Sequence, residues 1–269
     1  MNERIRIFSR LLEDAPLKSG KILDIGCGQG ELSELFLDLP AVDEVHGIGL
    51  AINSYNIPKR IIEKGLKLTE SSVEKMPFSD ETFDVVIASH VLEHVPNMQL
   101  ALKEIRRVMK EGGYLYIFLP VHTDEVQGGH INMGWNVGNL MYVLLINGFN
   151  VKEGQFINLP SQIVAYVKKE DFLIPDLRCD YGDIGTLSKM NLWPVMCKHE
   201  SFMGNIRCLN WPNGKEVFKW INKNEKHPLF LKLVYFYSKF LAFLFGNRRV
   251  ANLLRLMTLY SGEYNPKEL

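Results

Sequence analysis

The pattern of apolar and polar positions along the chain is organised around residues 21–36, KILDIGCGQGELSELF. Ile22, Leu23 and Ile25 form a short apolar run around Asp24, which breaks into Gly26, Gly28 and Gly30; Leu32, Leu35 and Phe36 then recur on one side of an amphipathic segment. The pattern predicts a strand, a tight turn and a helix over 31–38. Glycines in such a turn allow positive φ and close approach of a ligand to the backbone, and the first amides of the helix point at whatever binds there. Upstream, Ile5, Phe8, Leu11 and Leu12 recur at helical spacing until Pro16 and Gly20 end the segment. That helix is expected to pack on the sheet edge or to lid the ligand. Downstream the pattern predicts a strand at 45–48, a helix at 54–63 and a short strand at 66–69. The nearly continuous apolar run 83–88 has the look of a central, buried parallel strand. Leu100, Ile105, Val108 and Met109 mark a helix with Pro96 near its start and Gly112-Gly113 past its end. A fifth strand follows at 114–119 and stops at Pro120. Leu140, Val143, Leu144 and Ile146 predict a helix within 134–147, and further strands are expected near 149–153 and 162–168.

The spacing G-C-G-Q-G is not the G-x-G-x-x-G of dinucleotide-binding folds, and a glycine turn by itself also closes ordinary β–α units. Two later stretches add to it: MPFSDETFDVVIASHVLEHV and EIRRVMKEGGYLYIFLP. Together the three motifs, in this order over about residues 20–120, resemble the class I S-adenosylmethionine-dependent methyltransferases, in the branch with an L-E-H signature after the fourth strand. The resemblance implies an α/β architecture: a Rossmann-like, seven-stranded, mostly parallel sheet flanked by helices, with a mainly helical C-terminal extension. Residues 1–169 would form the methyltransferase domain with its N-terminal helix, and 170–269 the extension. S-adenosyl-L-methionine is the implied cofactor. Asp24, Gly26, Cys27, Gly28 and Gly30 would cradle it. Gly49, Leu50, Ser72, Val73 and Glu74 would run along its ribose and adenine, and Ser89 and His90 would meet its methionine end. Two positions depart from the family pattern. The carboxylate that usually holds the ribose is Gly49 here, and the aspartate that usually meets adenine is Ser72. Rerouting through Asn53, Glu70 or Glu74 is the favoured expectation, and loss of the cofactor is the alternative.

Composition narrows the remaining choices. Lys plus Arg and Asp plus Glu both number 31 in 269 residues, so no basic field recommends nucleic acid as a partner. The N-terminus lacks the apolar core and cleavage site of a secretory signal, which makes the cytosol the expected compartment. Cys27, Cys179, Cys197 and Cys208 show no paired spacing, so reduced thiols are expected. Cys197, His199 and Cys208 lack a C-x-x-C pair, and no metal site is expected from them.

Methyl transfer from a sulfonium needs alignment and exclusion of water, and a hydroxyl acceptor also needs a base. Histidines cluster in the loops expected at the carboxyl end of the sheet. His130, between glycine and polar neighbours, is the first base candidate and His122 the second; His94 can equally serve to bond a neighbouring loop. Asp124, Gln127, Asn132 and Trp135 are the candidate acceptor contacts, with Glu125 and Asn136 beside them. Polar groups around one aromatic face, and a looser resemblance of QGGHINMGWN to bacterial methyltransferases of surface-polysaccharide assembly, suggest O-methylation of a sugar, either a nucleotide sugar or a glycan precursor. Two rivals stand beside it: a quinone or lipid methyltransferase at the membrane surface, and a non-catalytic binding subunit. The apolar stretch within 228–260 is marginal for a membrane span and is divided at Gly246-Asn247. It suits core or homodimer packing, or a membrane-surface helix at the inner face.

Overall fold

The structure, a computed structural model, describes residues 3–121, 129–160, 162–180, 182–194, 206–212 and 214–224. His122, Asp124, Glu125, Gln127, Cys197, His199 and the stretch 228–260 lie outside these residues. The chain divides into two compact units, Phe8–Pro212 and Met1–Ile7 with Asn213–Leu269. In the smaller unit, helix α7 (Gly214–Asn224) carries Trp220, with the Arg6 guanidinium 5.7 Å from its ring centroid. Among the described residues no helix is long and apolar enough to cross a membrane.

The larger unit is built on one mixed sheet. Its strands are β1 (Gly20–Ile25), β2 (Val42–Gly49), β3 (Lys67–Glu70), β4 (Phe83–Ser89), β5 (Met109–Pro120), β6 (Phe149–Asn158), β7 (Gln162–Lys169) and β8 (Cys208–Leu209). Their order is β3-β2-β1-β4-β5-β7-β6-β8. The first five run parallel and β7, β6 and β8 join antiparallel. This is the expected Rossmann-like sheet of seven strands with a two-residue eighth added from the extension. Parallel strands need buried faces on both sides. Accordingly Val85, Val86, Ile87 and Ala88 of β4 are buried, as are Leu115, Ile117 and Leu119 of β5. Each such Val, Leu or Ile side chain contributes about 1.5–3 kcal/mol on burial.

The helices of this unit are the remainder of α1 (Glu3–Glu13), α2 (Glu31–Leu37), α3 (Lys59–Glu63), α4 (Met98–Val108), α5 (Val137–Ile146) and α6 (Gly182–Lys189). Three expectations change. Helix 54–63 is a single 3-10 turn at Ile52–Ser54 followed by the short α3, because Pro58 holds the residue before it extended and opens α3 as its N-cap. Leu100, expected on the buried side of α4, is 45% exposed; Ala101, Leu102, Ile105 and Val108 make the contact instead. The N-terminal helix meets the middle of the sheet and not its edge. The Phe8 ring stands edge-on to Phe118 of β5 at 4.6 Å, and the Leu17 amide donates to the Tyr116 hydroxyl at 3.0 Å. Trp211 stacks on Tyr166 of β7 and donates its Nε1 proton to Asp14 at 3.0 Å, so the segment before β1 and the one after β8 close over the same two strands.

Gly112-Gly113 lies past the end of α4, as expected, and falls inside β5. The ladder to β4 steps from Phe83–Met109 directly to Val85–Tyr114, so residues 110–113 bulge out. A Cβ on Gly113 would lie 2.8 Å from the Asp84 carbonyl oxygen, which explains the missing side chain.

Candidate functional site

Strand order reverses between β1 and β4: β2 and β3 continue on one side, β5 on the other. Open α/β sheets place ligands in the crevice at the carboxyl ends of the strands flanking such a switch point. The ends of β3, β2, β1 and β4 and the loops that leave them carry the residues singled out in the sequence for the donor, whereas the base and acceptor candidates His130, Asn132 and Trp135 follow β5. Four strands at about 4.8 Å spacing make a row roughly 14 Å long.

The glycine turn occupies the centre of that row. Gly26, Gly28 and Gly30 have φ of 65°, 52° and 78°. A Cβ on Gly26 would lie 2.6 Å from Val91 Cγ2, so the turn is held directly against the loop after β4. A Cβ on Gly28 would meet nothing nearer than the Gly26 carbonyl oxygen at 4.0 Å; that glycine faces open space, where a ligand can reach the backbone. Asp24 is buried and accepts the Ser33 hydroxyl proton at 2.7 Å, tying the first turn of α2 to β1. Burial, with Asp24 beside it, pushes the Cys27 thiol up to about 12, so it sits there as a neutral packing group. Gly47 of β2 makes room for it: a Cβ there would stand 2.8 Å from Cys27 Sγ.

At the end of β2 the absence of a side chain at Gly49 has a local cause. A Cβ would lie 2.7 Å from the Tyr55 ring, which fills the place a carboxylate would take. Gly49 pairs in register with Glu70 of β3, and Asn53 donates to the Glu70 carboxylate at 3.3 Å. Glu70 therefore brings an exposed carboxylate to the strand end beside Gly49. Glu74 is already engaged, accepting the Asn97 amide at 2.9 Å, and the Ser72 hydroxyl oxygen accepts the Glu74 amide at 3.1 Å. Val73 is buried and Leu50 is 75% exposed, an apolar flank beside that end of the row.

Beyond β4, Ser89 is buried and His90 is forced to φ 54°, a conformation that costs a non-glycine residue about 1–2 kcal/mol. Its amide donates to the Phe118 carbonyl at 2.9 Å, and its Nε2 faces Gln162 Oε1 at 3.2 Å. Residues Leu92–His94, the L-E-H signature, form a 3-10 turn. The Glu93 carbonyl accepts both the Ile131 amide, at 2.7 Å, and the Asn132 amide, at 3.0 Å. The Asn132 side chain adds to them, donating to the Leu92 and Val95 carbonyls at 2.9 and 2.8 Å. His94 Nδ1 bonds the Gly129 carbonyl at 2.8 Å, the loop contact expected of it, and its ring meets that of His130 at 4.7 Å nearly at right angles. His94 and His130 are thus neighbours in one cluster. Trp135 donates Nε1 to the Asn132 carbonyl at 3.1 Å and is partly buried against the core.

Next to this loop opens a cavity of about 490 Å³. It is lined by Met133, Gly134, Trp135, Tyr142, Val143 and Ile184, with Asn139, Cys179, Asp180 and Trp193 completing the wall. No residue of the glycine turn lines it. Tyr142 donates to the buried Asp183 at 2.6 Å; burial and that bond push its phenol up, so it remains protonated. Residues 179–193 come from the extension, whose first part had no legible period in the sequence.

The description "methyltransferase domain" belongs to the family that matches residues 23–117. Similar curated proteins include a sterol 4-C-methyltransferase of Caenorhabditis elegans, 34% identical over 108 residues, 38% of this chain and 32% of that protein. A ubiquinone/menaquinone biosynthesis C-methyltransferase of Agrobacterium fabrum is 30% identical over 105 residues, 37% of this chain and 40% of that protein. The chain thus spans only about a third of these relatives' length. Among solved structures, an S-adenosylmethionine-dependent methyltransferase from Aquifex aeolicus superposes with a TM-score of 0.53 at 18% identity, covering 62% of this chain and 91% of the other. The [4+2]-cyclase SpnF superposes with a TM-score of 0.51 at 17% identity, covering 62% of this chain and 82% of that one. The fold by itself therefore does not dictate one reaction. Three ordered motifs, the strand order and the family match converge on the same segment: residues 23–117 are a class I S-adenosylmethionine-dependent methyltransferase domain.

Proposed function

We propose that this protein transfers the methyl group of S-adenosylmethionine to a small, ring-bearing and largely apolar acceptor of the quinone or sterol kind. The row of strand ends suits the donor: adenine toward Ser72 and Val73, ribose beside Gly49 with Glu70 accepting its hydroxyls, and the methionine end between the glycine turn and His90. A carboxylate accepts two hydroxyl protons at once, and Glu70 has the one unblocked carboxylate among the three rerouting candidates apart from its contact with Asn53. When bound, the donor supplies a methyl on a good leaving group. The chain's own part is to align the acceptor and exclude water.

The observation that carries the acceptor class is the wall of the 490 Å³ cavity, in which methionine, valine, isoleucine, tyrosine and two tryptophans outnumber the polar groups. The names of the relatives point the same way, although their similarity covers the donor half and not this wall. The exposed Ile131 and Met133, at 59% and 52%, extend the apolar character toward the cluster of histidines. A sugar acceptor has less support. The Asn132 side-chain amide, one of its expected contacts, is committed to the Leu92 and Val95 carbonyls, and Trp135, expected to stack on it, is tied by its N–H to the Asn132 carbonyl and partly buried against the core. Residues 179–193 make the extension a cover over the acceptor.

Calorimetry with S-adenosylhomocysteine tests the donor half, with micromolar binding expected. Transfer of labelled methyl to a prenylated hydroquinone, a sterol and a nucleotide sugar, each offered separately, tests the acceptor. Label partitioning into the organic phase with either lipid supports the proposal. Label on the sugar alone overturns the acceptor class, and absence of homocysteine-ligand binding leaves the non-catalytic binding subunit.

A further inference from the structure

We propose that Glu93, His94 and His130 form a binding site for a divalent first-row transition-metal ion, zinc or a metal of similar preference. Their ligand atoms all lie within 4.8 Å of one another. Two imidazole nitrogens and one carboxylate oxygen are the donor set of catalytic zinc and of other borderline divalent ions.

Each member is prepared for the role in a different way. Glu93 is fully buried, and neither carboxylate oxygen has a hydrogen-bond partner. A buried carboxylate without partners is costly unless a cation or a proton accompanies it. His90 comes nearest, with Nδ1 3.3 Å from Glu93 Oε1 but without hydrogen-bond geometry. The His94 bond to the Gly129 carbonyl uses Nδ1–H and leaves Nε2 as the free acceptor, which is the backing that metal-ligating histidines commonly have. His130 is half-buried, with its ring against His94. In a tetrahedral site with bonds near 2.1 Å, donor atoms stand about 3.4 Å apart, so the rings close by roughly 1 Å on the ion. The two amides of Ile131 and Asn132 on the Glu93 carbonyl fix the loops that must meet.

His94 and His130 stand out in the sequence as separate base candidates and Glu93 does not, because the set is one adjacent pair plus a residue some forty positions on and no local ligand spacing joins the three. Three protein ligands leave the fourth position open. The site follows β4, whose end receives the methionine portion of the donor under the function proposed above, and its catalytic meaning rests on that proposal. A hydroxyl of the acceptor on the open position would release its proton to solvent more readily.

The test uses the full chain, stripped with chelator and titrated with Co²⁺ and Zn²⁺. One Co²⁺ per chain with visible d–d absorption is expected, with displacement by Zn²⁺. Glu93→Gln, His94→Ala and His130→Ala should each weaken binding by about 100-fold or more, while Glu153→Gln, exposed on β6 and outside the set, leaves it unchanged. Circular dichroism identifies any variant that fails to fold; Glu93→Gln, being nearly isosteric, keeps the comparison valid. Uptake of less than one equivalent, or uptake that none of the three substitutions reduces, overturns the site. S-adenosylhomocysteine binding, measured on the same stripped protein, reports separately on the donor half: its loss with metal uptake intact would sink the proposed function and leave the metal site standing.

Discussion

Gly28 and Gly49 lack a side chain for opposite reasons. Gly28 faces open space at φ 52°, and Gly49 sits under the Tyr55 ring. Gly28→Ala should leave the protein folded at a cost of about 1–2 kcal/mol and weaken S-adenosylhomocysteine at least tenfold, because the methyl group intrudes where the donor meets the backbone. Calorimetry beside thermal unfolding separates the two effects. At Gly49 a restored aspartate must displace the tyrosine, so Gly49→Asp should not tighten binding. Glu70→Gln should weaken it by about 1.5–3 kcal/mol, the worth of a charge-assisted hydrogen bond. Unchanged affinity in Glu70→Gln would mean the ribose is held elsewhere. The thiols differ as sharply. Cys27 is buried with its ionisation pushed up to about 12, while Cys179 is exposed. At pH 8 a disulfide reagent followed by peptide mapping should label Cys179 quickly and Cys27 only on unfolding.

At the level of elements, α4 is locked to the loop before β4 by a single arginine. Arg107 donates to Glu104, to Asp80 and to the Phe78 and Met76 carbonyls, while Glu104 also accepts the Met76 amide at 2.7 Å. Arg107→Ala should destabilise by about 1–3 kcal/mol in denaturant unfolding. The Arg107 guanidinium beside Glu104 holds that carboxyl below the usual range. A depressed acid contributes stability above its unfolded pKa and loses it as pH falls through the folded value. The deficit of Glu104→Gln should therefore be full at neutral pH and vanish in acid below the ordinary carboxylate range.

This lock shows what a linear pattern reveals and what it hides. The strand run 83–88 and the helical spacing of Ile105 and Val108 were legible, because burial of a strand or of a helix face leaves a local period. Leu100 was misplaced because an apolar residue at the first turn of a helix fits the period without being covered. The 54–63 region misled because Pro58 outweighed helix-like composition. In the site, the glycine turn announced itself through backbone geometry that only glycine adopts. Glu70 was one of three rerouting candidates, but its pairing with Gly49 depends on strand register, and the approach of Glu93 to His130 on two loops distant in the chain; neither leaves a trace in spacing.

For the molecule as a whole, β7 and β6 insert antiparallel beside the parallel half, and residues 179–193 reach the cavity from beyond them. Under the proposed function, the half that would bind the donor and the wall that would meet the acceptor come from different stretches of chain. Trp193→Ala, in that wall, should change which acceptor is methylated while leaving S-adenosylhomocysteine affinity within about twofold. Parallel loss of both would tie the wall to the donor half.

The bonds that Ile131 and Asn132 donate to the carbonyls of Leu92, Glu93 and Val95 also bear on the order in which the protein folds. These contacts join loops some forty residues apart, so closing them carries loop entropy that is repaid only once β4 and β5 are paired. The zipper should be a late event. Asn132→Ala should speed unfolding and leave the refolding rate nearly unchanged, a φ-value close to zero, whereas truncating Val86 in β4 should slow refolding. A newly made chain would then possess its sheet and donor crevice before its acceptor face is finished.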